Sequence, residues 1–310
     1  MDEETIRKLY SDCSLCPRRC HADRYDKPGF CMAGPGIKAA RAAIHMWEEP
    51  VLAGSGGSGA VFFSGCTLRC VFCQNHEISS EGYGKEISAK ALADIFLRLQ
   101  EEGAENIDLV TASQFVPEVL YALDMVKDRL IIPVIYNSGG YESIETLKLL
   151  EGYIDIYLPD VKYCSDELAV RLSKAPGYFD TAIDAVREMI RQTGKPEFFP
   201  GSGKLKKGTI IRHMVLPGKR RDSIRILNEL EKLGTDNFLI SVMSQYTPFY
   251  KAKTDKALKD MNRRIFSFEY DEVVDEALRL GMNGFMQEKS SAKEEYTPAF
   301  DLKGIADQGA

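Results

Sequence analysis

No stretch of the 310 residues holds an uninterrupted apolar run of about 18, the length a helix needs to cross a bilayer. The opening residues, Met1 to Asp12, are charged and polar rather than apolar. The expectation is a chain with neither a membrane span nor a secretory leader, working in the cytoplasm. Positive charge is not in excess either: 40 Lys and Arg face 46 Asp and Glu, a net charge of −6. A body of that sign has no general attraction for phosphate backbones, so nucleic acid is not an expected partner. What the chain does have is eight cysteines, seven of them before Glu77. In a reducing compartment clustered thiols hold metal or do redox work rather than pair as disulfides. The length suits one large core, alone or with a small appendage.

The stretch from Ala60 to His76, AVFFSGCTLRCVFCQNH, reads as a buried strand running into a loop that carries Cys66, Cys70 and Cys73. Their spacing, C-x3-C-x2-C, lets three thiolates turn toward one point. Three soft ligands on a four-iron cubane leave one corner without a protein ligand, and an open iron is a place for a reactant. A structural zinc knuckle is the alternative, with His76 closing the tetrahedron. The strand before the motif and the strand and helix units after it favour the enzyme.

The pattern C-x3-C-x-aromatic-C resembles the radical S-adenosylmethionine (SAM) superfamily, with Cys66, Cys70 and Cys73 at the cluster positions and Phe72 as the aromatic beside the adenine. The longer run FFSGCTLRCVFCQNHEIS is similar to the PflX-like branch of proteins related to pyruvate formate-lyase activating enzyme. The resemblance implies a partial (β/α)6 barrel and two cofactors, a 4Fe-4S cluster and SAM. It implies reductive cleavage of SAM to a 5′-deoxyadenosyl radical that abstracts hydrogen from substrate, with electrons from a donor such as flavodoxin or ferredoxin. The activating-enzyme branch implies a protein or peptide substrate, glycyl radical installation included. A small-molecule substrate and a non-enzymatic metal-binding module are the alternatives.

Ahead of the motif, Cys13, Cys16, Cys20 and Cys31 sit in a Pro- and Gly-rich stretch that reads as a small cysteine-rich lobe. Four thiols there can close around zinc or an auxiliary iron–sulfur cluster, or stay metal-free. The glycines at 54, 56, 57 and 59 lack the strand and helix of a nucleotide loop and read as a tight turn into the first core strand. The expected organisation is therefore a lobe and linker over residues 1–58, the barrel over 59–288, and a tail over 289–310.

Past Cys73 strands and helices alternate. Strands beginning at Ala60, Ile107, Ile131, Tyr153, Thr209 and Phe238 give six parallel candidates, with helices between them such as the one capped by Ser88. Ligands in parallel α/β folds bind beyond the carboxyl ends of the strands. That rule nominates Thr111, Ser113 and Gln114 after the second strand, Asn137 and Ser138 after the third, Asp160 and Lys162 after the fourth, and Arg212 on the fifth. The resemblance places the Thr111–Gln114 segment at the methionine amine of SAM, although it departs from the family's Gly-Gly-Glu-Pro form. Asn137 and Ser138 correspond to the group facing ribose or the methionine carboxylate, and Asp160 and Lys162 to a D-x-K element lining the same cavity. Arg212 alternates with apolar neighbours, and an arginine on a core strand needs an anion, for which the ligand carboxylate is available. Lys204, Lys206 and Lys207 stand in a Gly-rich loop that can border a cleft for a macromolecule. Replacing Cys66, Cys70 and Cys73 together by Ala is expected to abolish the SAM-dependent change in the paramagnetic resonance spectrum of the anaerobically reconstituted protein.

Overall fold

The computed structural model of the chain describes residues 1–286 and 298–305. Its strands, in chain order, are β1 (Ile37–His45), β2 (Ser58–Phe63), β3 (Lys85–Ile87), β4 (Ile107–Val110), β5 (Val134–Ser138), β6 (Ile156–Pro159), β7 (Glu197–Phe198), β8 (Leu205–Met214), β9 (Leu239–Met243) and β10 (Gly284–Met286). They form one mixed sheet in the order β10-β9-β8-β6-β5-β4-β2-β1-β3, with β7 attached to β8. From β2 to β10 every neighbouring pair along that path is parallel, while β1 runs antiparallel to both β2 and β3. The six expected strands are present. A seventh, β10, extends the parallel run, its three residues being too short to show a period. Among the described residues the sheet does not close on itself.

Two boundaries moved for local reasons. Pro133 brings no N–H to a ladder, so β5 starts at Val134, and Ile131 is left 84% exposed. Tyr153 donates its N–H to the carbonyl of Leu150 in a turn, which delays β6 to Ile156. Residues 37–45, assigned to the linker by their lack of pattern, form β1 because β2 offers them a partner over nearly their whole length. The described part of the tail docks on the same strand: the Leu302 N–H donates to the carbonyl of Ala40, and the Ala42 N–H to that of Lys303. Residues 289–297 and 306–310 of the expected tail lie outside the described residues.

The alternation of strand side chains sorts the interior. On the outer face Val61, Phe63, Leu109, Tyr136 and Tyr157 pack against helices such as Ala89–Glu101, which buries Leu92, Ile95, Phe96 and Leu99. That helix is capped as expected, the Ser88 hydroxyl accepting from the Ala91 N–H at 3.1 Å. The inner face begins with an apolar layer of Ile135, Ile156, Leu158, Ile210 and Leu239, plugged by Leu52. Leu52 lies in the short helix Pro50–Ala53, which the Asn106 amide holds by donating to the Leu52 carbonyl at 2.8 Å. Asn106 directly precedes β4, so this plug sits at the amino ends of the strands. The lysine-rich loop lies at the same end. Lys204 pairs with Glu105 at 2.6 Å just before β4, and Lys206 and Lys207 act on Asp155 just before β6. The loop therefore does not border the mouth of the fold, contrary to the expectation for it.

The helix Glu3–Ser11 lies in a stretch whose charged residues mask an amphipathic pattern, with Ile6 and Tyr10 buried. Tyr10 donates its hydroxyl to Glu118 on the helix Val116–Val126. Burial pushes the Glu118 carboxyl up to about 9. With the native state holding this proton and the unfolded chain releasing it near 4.5, stability from this site is full below the unfolded value and falls as pH rises toward 9. Glu118→Gln keeps an acceptor for Tyr10 without an ionisable proton. It is expected to raise the melting temperature at pH 8 and to have a smaller effect at pH 5, as measured by calorimetry.

Candidate active site

β2 is buried along its whole length and ends by delivering the chain into the cysteine loop. The turn passes through Gly65 at φ +83°, where a side chain would collide with the Cys31 carbonyl, so only glycine fits. The loop is then fixed from several sides. The Cys66 N–H donates to the Cys31 carbonyl at 3.2 Å, the Arg69 N–H to Ser173 at 3.2 Å and the Val71 N–H to Leu172 at 2.8 Å. The Cys70 Sγ lies 2.9 Å from the Ser173 hydroxyl and the Cys73 Sγ 3.3 Å from that of Ser79. His76 does not turn toward the thiols; its Nδ1 is 3.1 Å from Glu81 and its ring stacks on Tyr250.

Cys66, Cys70 and Cys73 open on a single cavity of about 340 Å³. Among the described residues no three or more His, Cys, Asp or Glu side chains stand at the spacing of one metal ion. The three thiols share this cavity and His76 turns away from them, so His76 does not supply the fourth ligand that a zinc knuckle needs. Burial raises the proton affinity of all three thiols, that of Cys73 to about 11, with repulsion from Cys70 adding to the effect at Cys66 and Cys73. Such thiols become thiolates when a cationic centre takes the place of their protons.

Below the loop the inner face turns polar. Asn137, Asp160, Arg212 and Ser241 follow the apolar layer on β5, after β6, on β8 and on β9, and all face the cavity. The Arg212 guanidinium donates to Asp160 at 2.9 Å and to the Asn137 carbonyl oxygen at 2.6 Å, and lies 3.6 Å from Glu48. Lys162 pairs with the other oxygen of Asp160. Burial works against charge on Asp160, but Arg212 and Lys162 hold its carboxyl below the usual range. Asp160 in turn keeps Lys162 and Arg212 firmly protonated despite their burial. Arg212 is thus supplied with carboxylates by the protein itself.

Of the other nominated residues, Phe72, Thr111 and Ser138 line the cavity, Phe72 edge-on to Tyr246 with ring centres 5.7 Å apart. Ser113 and Gln114 are buried away from it. Ser113 donates to Glu142 at 2.6 Å. The Gln114 amide donates to the carbonyls of Ser64, Gly65 and Thr111 at 3.0, 3.1 and 3.1 Å. These two side chains fit the scaffold beneath the loop rather than a ligand contact, because the tight turn after β4 points them inward. Missed entirely were Glu48, Glu49 and Asp108. No sequence period marks Glu48 and Glu49, which lie in a short connection, and Asp108 differs from neighbouring strand residues only by its charge.

Cys13, Cys16, Cys20 and Cys31 come together around a void of about 10 Å³, which Arg24 also lines. That volume is about the least that holds a water molecule. The buried Arg24 guanidinium donates to the Gly34 and Gln114 carbonyls, which ties the segment to the residue that braces the cysteine loop.

The model of the radical SAM superfamily matches residues 60–225, more than half of the chain. An uncharacterized protein of Methanocaldococcus jannaschii is 31% identical over 286 residues, spanning 89% of this chain and 76% of its own length. The pyruvate formate-lyase-activating enzyme of Clostridium pasteurianum is 28% identical over 242 residues, 70% of this chain and 97% of that protein. Among solved structures, a radical SAM methyltransferase from Sphaerobacter thermophilus shares the fold at 14% identity and a TM-score of 0.50, over 74% of this chain and 65% of that one. Streptococcus suis SuiB bound to its precursor peptide SuiA aligns at 14% identity and a TM-score of 0.48, over 72% of this chain. The aligned region is 46% of the SuiB chain, so this chain spans about half the length of that structure. The chain belongs to the radical SAM superfamily and is a radical SAM enzyme. Membership brings with it SAM and an iron–sulfur cluster as the cofactor class.

If Gln114 braces the loop, Gln114→Ala removes the two N–H groups shared among the Ser64, Gly65 and Thr111 carbonyls and should cost about 1–3 kcal/mol of stability. Iron counting after anaerobic reconstitution is expected to show reduced cluster content, with the residual SAM-binding constant close to that of the parent.

Proposed function

We propose that the chain is an activating-enzyme-like radical SAM oxidoreductase that abstracts hydrogen from a protein or peptide. The observation that carries the radical chemistry is the sharing of one cavity by Cys66, Cys70, Cys73 and a ring of polar strand ends. Cys66, Cys70 and Cys73 would hold a 4Fe-4S cluster, which would supply the electron for reductive cleavage of SAM bound beside it. The chain's own residues position and shield. Phe72 offers its face to the adenine. Thr111, Asn137 and Ser138 offer hydroxyl and amide groups to the ribose and the amino acid end. Asp160 and Lys162, locked to each other, present a fixed acceptor and a fixed cation on the same wall. Tyr246, Leu216 and Met214 supply apolar surface that keeps water from the radical.

The polypeptide substrate is supported by the similarity to pyruvate formate-lyase-activating enzyme, which covers nearly all of that protein. The lysine loop no longer contributes, since it lies at the opposite end of the strands. No helix among the described residues is long and apolar enough to cross a membrane. The reading places the enzyme in the cytoplasm, served by a flavodoxin or ferredoxin.

Reduced and reconstituted, the protein is expected to cleave SAM slowly alone and much faster with its partner, because productive hydrogen abstraction consumes the radical. The measurement is 5′-deoxyadenosine formation against fractionated extract of the source cell. A stimulating factor retained by a small-molecule filter and destroyed by protease supports the polypeptide. One that passes the filter and survives protease replaces it with a metabolite.

A further inference from the structure

Four carboxyl groups surround Arg212 in the polar layer. Glu48, Glu49, Asp108 and Asp160 all act on the guanidinium. Among the described residues the cavity wall carries two permanent cations, Arg212 and Lys162, and Lys162 is taken up by Asp160. Glu49 is 8% exposed and Asp108 wholly buried. Among the described residues one oxygen of each, Oε2 of Glu49 and Oδ1 of Asp108, has no hydrogen-bond partner. A buried carboxylate oxygen with nothing to accept from is costly and calls for a donor. Burial, opposed by Arg212 and reinforced by Glu48, pushes the Glu49 carboxyl up to about 7, so an arriving cation has a proton to displace near neutrality.

Position separates this group from the cofactor end of the cavity. Glu48 and Glu49 lead into the helix Pro50–Ala53, which docks at the amino ends of the strands. Asp108 is the second residue of β4 and pairs with Ala60, three residues before the end of β2. The cysteines begin beyond that end. Glu48 and Glu49 therefore form a floor of the cavity one strand layer below the loop, with Asp108 buried behind it and accepting from Asn137 at 3.2 Å.

We propose that this floor is the recognition site for a positively charged group of the substrate, a primary ammonium or a guanidinium, docking against Glu49 and Glu48. The assignment rests on the reading of this cavity as the substrate chamber of a radical SAM enzyme and adds the chemical class of what enters it.

Trp47, the single tryptophan of the chain, lines the same cavity and reports on the floor by fluorescence. The full-length reconstituted protein is titrated at pH 7.5 with saturating SAM, so that the cofactor's own amine is not the cause of any signal. The probes are matched pairs: Nα-acetyl-lysinamide against its Nε-acetylated form, and Nα-acetyl-argininamide against Nα-acetyl-citrullinamide. In at least one pair the cation is expected to bind about tenfold or more tightly than its neutral counterpart, as for a hydrogen bond to a charged group. Glu49→Gln should reduce that preference to about twofold and Glu48→Gln should weaken it, with circular dichroism as the control for folding. Equal binding of both members in the parent protein overturns the proposal, and that measurement needs no variant to fold. A preference that survives in the Glu48→Gln, Glu49→Gln double variant overturns it as well. Stimulation of SAM cleavage by a polypeptide without any cation preference would sink the floor assignment alone. A cation preference with stimulation only by a protease-resistant small factor would sink the polypeptide and keep the floor.

Discussion

A guanidinium does not give up its proton at any pH a protein survives, and Arg212 carries one into the interior of this fold. Everything around it is arranged by that fact. Asp160 and Asn137 accept from it, Glu48 approaches it, and Lys162 is held by the second oxygen of Asp160. Removing Asp160 takes the shared partner from two buried cations, Arg212 and Lys162, and such a loss costs far more than a surface pair contributes. The network also joins β5, β6, β8 and the connection after β1 across one layer. The middle of the chamber is therefore rigid where a reactive ligand has to be held.

The upper edge of the chamber depends on a different constraint. A loop carrying three thiols has few backbone partners of its own, so the fold supplies them from distant segments: Cys31, Gln114, Leu172 and Ser173 all bond to the stretch from Ser64 to Val71. The amino-terminal cysteine segment thus has a structural connection to the candidate active site, through the Cys31 carbonyl and through Arg24 on Gln114. Below the polar layer, aliphatic side chains and the Leu52 plug seal the chamber from the amino ends of the strands.

Much of this was legible from residues alone because it is encoded locally. The thiol spacing of Cys66, Cys70 and Cys73 is a property of eight consecutive residues. The run Ala60 to Phe63 is apolar on both faces because both faces are covered, and the helix after Ser88 announces itself by cap and period. Asp160 and Lys162 share a side because residues two apart on an extended chain must. Where reading failed, the deciding information was not local. β1 has small residues and no clean alternation, and becomes a strand because β2 lies open beside it. β10 is three residues long. Ser113 and Gln114 follow a strand as ligand residues do, yet a single tight turn after β4 rotates them under the loop instead of over the cavity.

The sequence by itself determined the alternating parallel architecture through its periods, and its cysteine pattern carried the resemblance to the radical SAM superfamily to which the chain belongs. Only the tertiary structure decided what Arg212 pairs with, that Glu48, Glu49 and Asp108 share its layer, and that the lysine loop stands at the far end of the strands. Those outcomes depend on register and on the meeting of segments more than fifty residues apart, and a carboxylate carries no mark in the sequence of the buried cation it will face.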